Sequence, residues 1–226
     1  YLIGVGLLYQ ATGTLNIADL AVRVSELSDS RSVRAAFGFM TVGIGIKLAL
    51  FPLHVWLPNA YAYAPSVSSA FLAATATKVS IYVLIRVFYT IFGPAFSFET
   101  LPLDWVLLPL AIIAMFAGSV IAIFEVDVKR MLAYSSVAQI GYIILGISLA
   151  SVLGLTGGLL HLFNHALMKG ALFLAMGCVF YQLGSVALSD LDGVGRRMPW
   201  TMAAFVIGGL SLIGIPLTAG FVSKLY

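Results

Sequence analysis

Five apolar stretches follow one another at residues 35–60, 66–92, 103–124, 131–149 and 153–183, joined by short polar linkers such as GPAFSFETLPLD and EVDVKR. Each approaches or exceeds the roughly 20 residues a helix needs to cross a bilayer. A further span starts near Trp200, passes Pro216 and runs to Tyr226, and residues 1–12 read as the tail of another. Charged residues make up only 9% of the 226, against roughly 25% in a soluble domain. So little charge cannot solubilise a core of this length, so the expected fold is an all-α, polytopic transmembrane bundle.

Several function classes fall away. The formal charge of +3 is spread over short loops, which gives no basic surface for nucleic acid. Cys178 is the one cysteine and lies in an apolar stretch, so no intrachain disulfide is available. Residues 1–226 read as a single translocating domain, expected to be cut from a longer protein at both ends. Before the spans, LNIADLAVRVSELSDSRSVR places Ile17, Leu20, Ala21, Val24 and Leu27 on one helical face, which suits a short interfacial helix. Arg23, Arg31 and Arg34 fall on one side of the membrane, and Lys129, Arg130, Arg196 and Arg197 on the other. The second set sits in shorter loops near span ends, and the positive-inside rule puts it in the cytoplasm.

The acidic and basic residues are distributed differently. All nine carboxylates lie in or beside loops. Lys47, Lys78 and Lys169 sit well inside spans, Lys224 lies late in the last one, and His54, His161 and His165 join them. A lysine at the bilayer centre costs roughly 2.5–3.5 kcal/mol on insertion scales, and such residues mark ion or proton routes. Snorkelling of the ammonium to the interface explains one such lysine near a span end but not three deep ones. His161, His165 and Lys169 stand at i, i+4 and i+8, on one face over about 12 Å of helix axis, with Asn164 beside them. Lys78, Tyr82 and Arg86 repeat the spacing. Ser135, Gln139 and Tyr142 form an uncharged stripe that reads as helix–helix hydrogen bonding.

Two prolines interrupt spans: ALFPLHVWL around Pro52 and IGIPLTAGF around Pro216, with Lys47 before the first and Lys224 after the second. Proline removes a donor and clashes with the preceding turn. Broken backbone at membrane depth is tolerated where protein or water answers the freed groups, and it recurs where transporters handle ions.

Four segments, KLALFPLHVWLPNAYAYAPSVSSAFLAATATKVSIYVLIR, DVKRMLAYSSVAQIGYIILG, HLFNHALMKGALFLAMG and PLTAGFVSK, resemble the antiporter-like membrane subunits. That family holds the proton-pumping subunits of complex I (NADH:quinone oxidoreductase), large subunits of Mrp-type Na⁺/H⁺ antiporters and relatives in membrane-bound hydrogenases. The wording AYAPSVSSAFLAATATKVSIYVLIR is most similar to the D-type subunit of a monovalent cation/proton antiporter. The resemblance implies a larger inverted-repeat fold with one broken helix per repeat. It matches Lys47 and Lys224 to the lysines of the two broken helices, Lys78 to the central lysine, and His161, His165 and Lys169 to the bridging positions. It also pairs Lys47 with a glutamate on an earlier helix, expected before Tyr1.

The function expected is therefore that of a proton-translocating subunit of a Na⁺/H⁺ antiporter, with a complex I or hydrogenase subunit as the alternative. Protons pass between Lys78, His161, His165, Lys169 and Lys224 through waters, and Lys47 tunes their affinity. No cofactor, metal, redox or hydrolytic chemistry is expected on the chain. The expected partners are other membrane subunits, the lipid bilayer, protons and Na⁺ or K⁺, in a bacterial inner membrane. A haem protein ligated by His54, His161 or His165 is a rival. However, His161 and His165 share one face and cannot clamp opposite sides of one haem. A structural scaffold is a second rival, and it leaves the deep lysines unexplained.

Overall fold

A computed structural model describes residues 1–226. It is built from helices: α1 (Leu2–Thr12), α2 (Ile17–Glu26), α3 (Arg31–Leu48), α4 (Trp56–Tyr63), α5 (Ser66–Arg86), α6 (Asp104–Phe124), α7 (Val128–Ser148), α8 (Val152–Leu183), α9 (Val194–Arg197), α10 (Pro199–Ile213) and α11 (Ala219–Leu225). Two short π-helical turns, Val87–Ile91 and Ala95–Thr100, link α5 to α6. Four helices are long and apolar enough to cross a membrane: α5 with its π turn, α6, α7 and α8. The all-α membrane bundle read from the sequence is the fold observed. The first stretch, at 35–60, is interrupted around Pro52 as expected and divides into α3 and α4.

Burial is arranged for lipid rather than for water. α6 is the most apolar of the four spans and the least buried, whereas α7 is the least apolar and the most buried. Trp105, Phe116, Ile123 and Phe124 of α6 are exposed, as are Leu159, Phe163, Leu167 and Leu174 on the outer face of α8. α7 packs between α6, α8 and α4, and α8 touches α5, α7, α10 and α11. Lipid tails are as apolar as leucine, so helices gather through close packing and polar contacts. The α6–α7 seam uses small residues for this. Ala111, Ala114 and Gly118 of α6 are buried against Ala138 and Gly141 of α7. A Cβ on Gly141 would lie 2.8 Å from the Ala111 carbonyl oxygen, and one on Gly118 would lie 2.8 Å from the Ala138 amide nitrogen.

Both proline-containing breaks have the same backbone solution. α3 ends at Ala49, in the left-handed region with φ 62°, and Leu50 N–H reaches back to Gly45 C=O at 2.8 Å. α10 ends at Gly214 with φ 89°, and Ile215 N–H reaches back to Leu210 C=O at 3.2 Å. Each is a left-handed cap whose following amide returns to a carbonyl five residues earlier. The caps align Ala49 with Gly214, one residue out of register from the alignment of Pro52 with Pro216. The peptide bond before Pro52 is cis. The freed carbonyls are answered by different chemistry. The Trp56 indole N–H donates to Ile46 C=O at 2.8 Å, while the Lys224 ammonium donates to Leu212 and Ile213 C=O at 2.9 and 3.2 Å.

Helix starts explain two departures from the sequence reading. Asp127 caps α7 by accepting from Arg130 N–H at 2.9 Å, so α7 begins at Val128, and Lys129 and Arg130 belong to its first turn rather than to a loop. Lys129 is buried; its ammonium donates to Ser66 Oγ at 3.0 Å and lies 4.9 Å from the Phe180 ring centre, tying α7 to α5 and α8. The amphipathic α2 is present and capped by Asn16, whose side chain accepts from Ala18 N–H at 3.0 Å. Of its predicted face only Leu20 and Val24 are fully buried, and Ile17 is exposed.

The α6–α7 seam gives a direct test. Gly141→Ala should cost about 1–3 kcal/mol through overpacking, read as a lower melting temperature in detergent. Gly209→Ala, where an added Cβ meets nothing within 4 Å, should leave that temperature unchanged.

Candidate functional site

The i, i+4, i+8 ladder on α8 is realised and buried: His161, His165 and Lys169 are 2%, 0% and 0% exposed. The imidazoles of His161 and His165 stack with centres 5.9 Å apart and planes 9° from parallel. The stripe on α7 faces this ladder. Lys169 Nζ donates to Leu132 C=O at 2.6 Å and to Ser135 Oγ. Gln139 Oε1 is 2.8 Å from His161 Nε2. The Tyr142 ring lies 6.0 Å from the His161 ring and 4.6 Å beneath the Lys224 ammonium. The stripe that reads from sequence as ordinary interhelical hydrogen bonding is thus bonded to the titratable row itself.

Two further elements complete the row. α5 brings in Lys78, 4% exposed, whose ammonium bonds the Ala73 carbonyl. α11 brings Ser223 Oγ to 2.9 Å from His161 Nδ1 and places Lys224 at the carboxyl end of α10, where a cation meets the negative end of the helix dipole. Asn164 turns aside from the row and ties α8 to α11 through Ala219 C=O at 2.8 Å. His165 is the member without a partner: both ring nitrogens are buried and make no hydrogen bond, as is true of Thr77 Oγ1, one residue before Lys78. A cavity of about 120 Å³ lies against His161, Ser223, Lys224 and Tyr142, with room made by Gly146, Gly157 and Gly158. It is large enough for water, which takes roughly 30 Å³ per molecule.

Other predicted residues fall elsewhere. Lys47 sits in the last turn of α3 with its side chain exposed and without a hydrogen bond, so the structure does not bring it into the buried row. Of the stripe Lys78, Tyr82 and Arg86, only Lys78 is buried. Tyr82 and Arg86, one and two turns on, are exposed. His54 is buried in the first break, stacked on Phe51 at 5.0 Å and remote in sequence from the α8 pair.

No carboxylate enters the row. The three ion pairs, Arg23–Asp19 at 3.0 Å, Arg34–Asp29 at 2.9 Å and Arg130–Glu125 at 3.0 Å, all involve residues outside it. Chemically the row can pass protons, and no group of three or more His, Cys, Asp or Glu residues is placed to hold a metal ion.

Comparison with known proteins agrees with this fold. The chain is 50% identical over its whole length to NADH-quinone oxidoreductase subunit N of Desulforudis audaxviator, of which it covers 45%. It is 36% identical to a Na(+)/H(+) antiporter subunit of Alkalihalophilus pseudofirmus, over 99% of this chain and 45% of that protein. A chain in the solved Mrp complex from Dietzia sp. superposes with a TM-score of 0.90 at 36% identity, over 99% of this chain and 40% of that one. The chain therefore spans a little under half the length of these relatives. The protein family described as NADH:quinone oxidoreductase/Mrp antiporter, TM, matches residues 1–226. With its membrane helices, two broken helices and buried lysine–histidine row, this chain belongs to that family of integral membrane subunits.

Proposed function

We propose that the chain forms the proton-conducting part of a subunit in a multisubunit membrane complex of the complex I and Mrp type, in a bacterial inner membrane. The observation that carries this reading is the set of Lys78, Lys169, His165 and His161, buried between α5, α7 and α8 without a counter-ion, with the half-buried Lys224 of α11 beside His161. Protons move between these groups through Ser135, Ser223 and intervening waters. Unpartnered His165 is the group through which water links Lys78 to the α8 ladder. Lys47 acts from outside the row as a charge that sets its proton affinity.

The driving force distinguishes the members of the family. Identity of 50% to a protein named NADH-quinone oxidoreductase subunit N favours a redox-driven subunit over the cation antiporter that the motif wording suggests. The close superposition on a chain of an Mrp complex keeps the antiporter as a second reading. The full-length protein with its partner subunits, in everted vesicles, decides between them. Reductant-driven proton uptake, lost in Lys47→Ala, is the expected result. Na⁺-triggered proton exit without any reductant response would instead establish the antiporter. Wild-type rates in a stably inserted Lys47→Ala variant would remove Lys47 from the mechanism.

The lysines are also expected to be dispensable for folding. Replacing a buried charged group with an apolar side chain of similar volume is often neutral or stabilising, by up to about 4 kcal/mol. Lys78→Met and Lys169→Met should therefore melt at or above the wild-type temperature in detergent. A large fall in melting temperature would assign these lysines to packing.

A further inference from the structure

His161 is gripped from two sides by side chains that carry no charge. Its Nε2 faces Gln139 Oε1 on α7 at 2.8 Å, and its Nδ1 faces Ser223 Oγ on α11 at 2.9 Å. The Ser223 hydroxyl donates to Gly220 C=O at 3.1 Å, which leaves its oxygen to accept from Nδ1. An amide oxygen only accepts. With the amide oxygen and the hydroxyl proton so placed, the clamp offers two acceptors and so fits the doubly protonated ring. A ring with a single proton needs one clamp to offer a donor instead. Gln139 can do so by a half-turn of its amide, and Ser223 by rotating its hydroxyl off Gly220 C=O.

These two rotations differ in difficulty. The Ser223 hydroxyl turns about one C–O bond. Gln139, 8% exposed, must swing a planar amide within the packed face of α7. The titratable and charged groups around the ring are Lys78 on α5, Tyr142 on α7, His165 and Lys169 on α8, Lys224 on α11, and Tyr226 just beyond it, which lines the same cavity. α10 brings none. The lysines exchange the same protons as His161, whereas Gln139 and Ser223 do not titrate and can only direct them.

We propose that Gln139 and Ser223 are positioning residues that give proton transfer at His161 a direction. Gln139 Oε1 retains the proton on Nε2, and the exchangeable proton leaves and returns at Nδ1, across Ser223 Oγ, on the side of Lys224 and the water-sized cavity. The neutral ring is then the Nε2–H tautomer. The step balances within the chain in either of two ways: the Nδ1–H bond breaks and its proton joins Ser223 Oγ while the hydroxyl's own proton, released from Gly220 C=O, moves on to a neutral Lys224; or the Nδ1 proton passes through a bound water to a neutral Lys224 and the Ser223 hydroxyl turns from Gly220 C=O to donate to Nδ1. This inference rests on the proton-relay reading.

The test uses full-length protein with its partner subunits, labelled with ¹⁵N-histidine and reconstituted in liposomes. Solid-state NMR, with the His161 signals assigned by their loss in His161→Asn, reads the tautomer of the neutral ring. The Nε2–H form is expected; the Nδ1–H form overturns the proposal. Proton movement is followed across pH in the same liposomes. Ser223→Ala should slow it roughly tenfold, the cost of one lost hydrogen bond, and shift the midpoint of the pH–rate profile, while Ser223→Thr restores both. An unchanged rate and midpoint in Ser223→Ala also overturns the proposal, and a uniform slowing without a midpoint shift assigns Ser223 a packing role only. Should the wild type move no protons under any driving force, the relay reading fails. The tautomer, measured on folded wild-type protein, still decides the positioning claim.

Discussion

The contact between α7 and α8 is the constraint on which the rest of the bundle depends. Lipid supplies no hydrophobic force between helices, so polar side chains gain by facing one another and lose heavily by facing acyl chains. Ser135 and Gln139 are bonded to Lys169 and His161, and the Tyr142 ring lies tilted beside His161 and under Lys224. Once this seam is buried, the remaining helices have defined positions around it. α6 closes on the back of α7 through small residues and leaves its apolar outer face exposed. α5 and α11 cover the open sides of α8 and add one lysine each.

The two broken helices meet a second need with unequal means. Each break frees carbonyls at membrane depth, and each uses a left-handed cap to recover part of the loss. At the first, an indole N–H answers the remaining carbonyl and Lys47 is left pointing outward. At the second, the ammonium of Lys224 does so, and this same group lies over Tyr142 and borders the cavity at His161. Lys224 is therefore held by the end of α10 and belongs to the titratable row at once. A change in its charge is felt in both places.

Much of this was legible in the sequence, because membrane helices write their environment in residue type. The spans, the two breaks and the ladder His161–His165–Lys169 followed from apolar run length, proline and i+4 spacing. Spacing alone does not say which neighbour a face will meet. Lys78, Tyr82 and Arg86 share a spacing with the α8 ladder, yet only Lys78 lies in the α5–α8 contact. Lys129 looked like a loop residue because nothing but the Asp127 cap marks the earlier start of α7. Ser223 carried no signal beyond its place next to Lys224. Its contact with His161 spans 62 positions and becomes visible only when α11 folds back against α8.

The central claim is that protons travel along the α7–α8 seam. The most direct measurement is the proton flux of Lys169→Met in the full-length complex, normalised to folded protein in the membrane. Removing a group that must take up and release the proton should lower the flux by about 100-fold or more. A flux equal to wild type, in a variant that remains folded and assembled, would contradict the account.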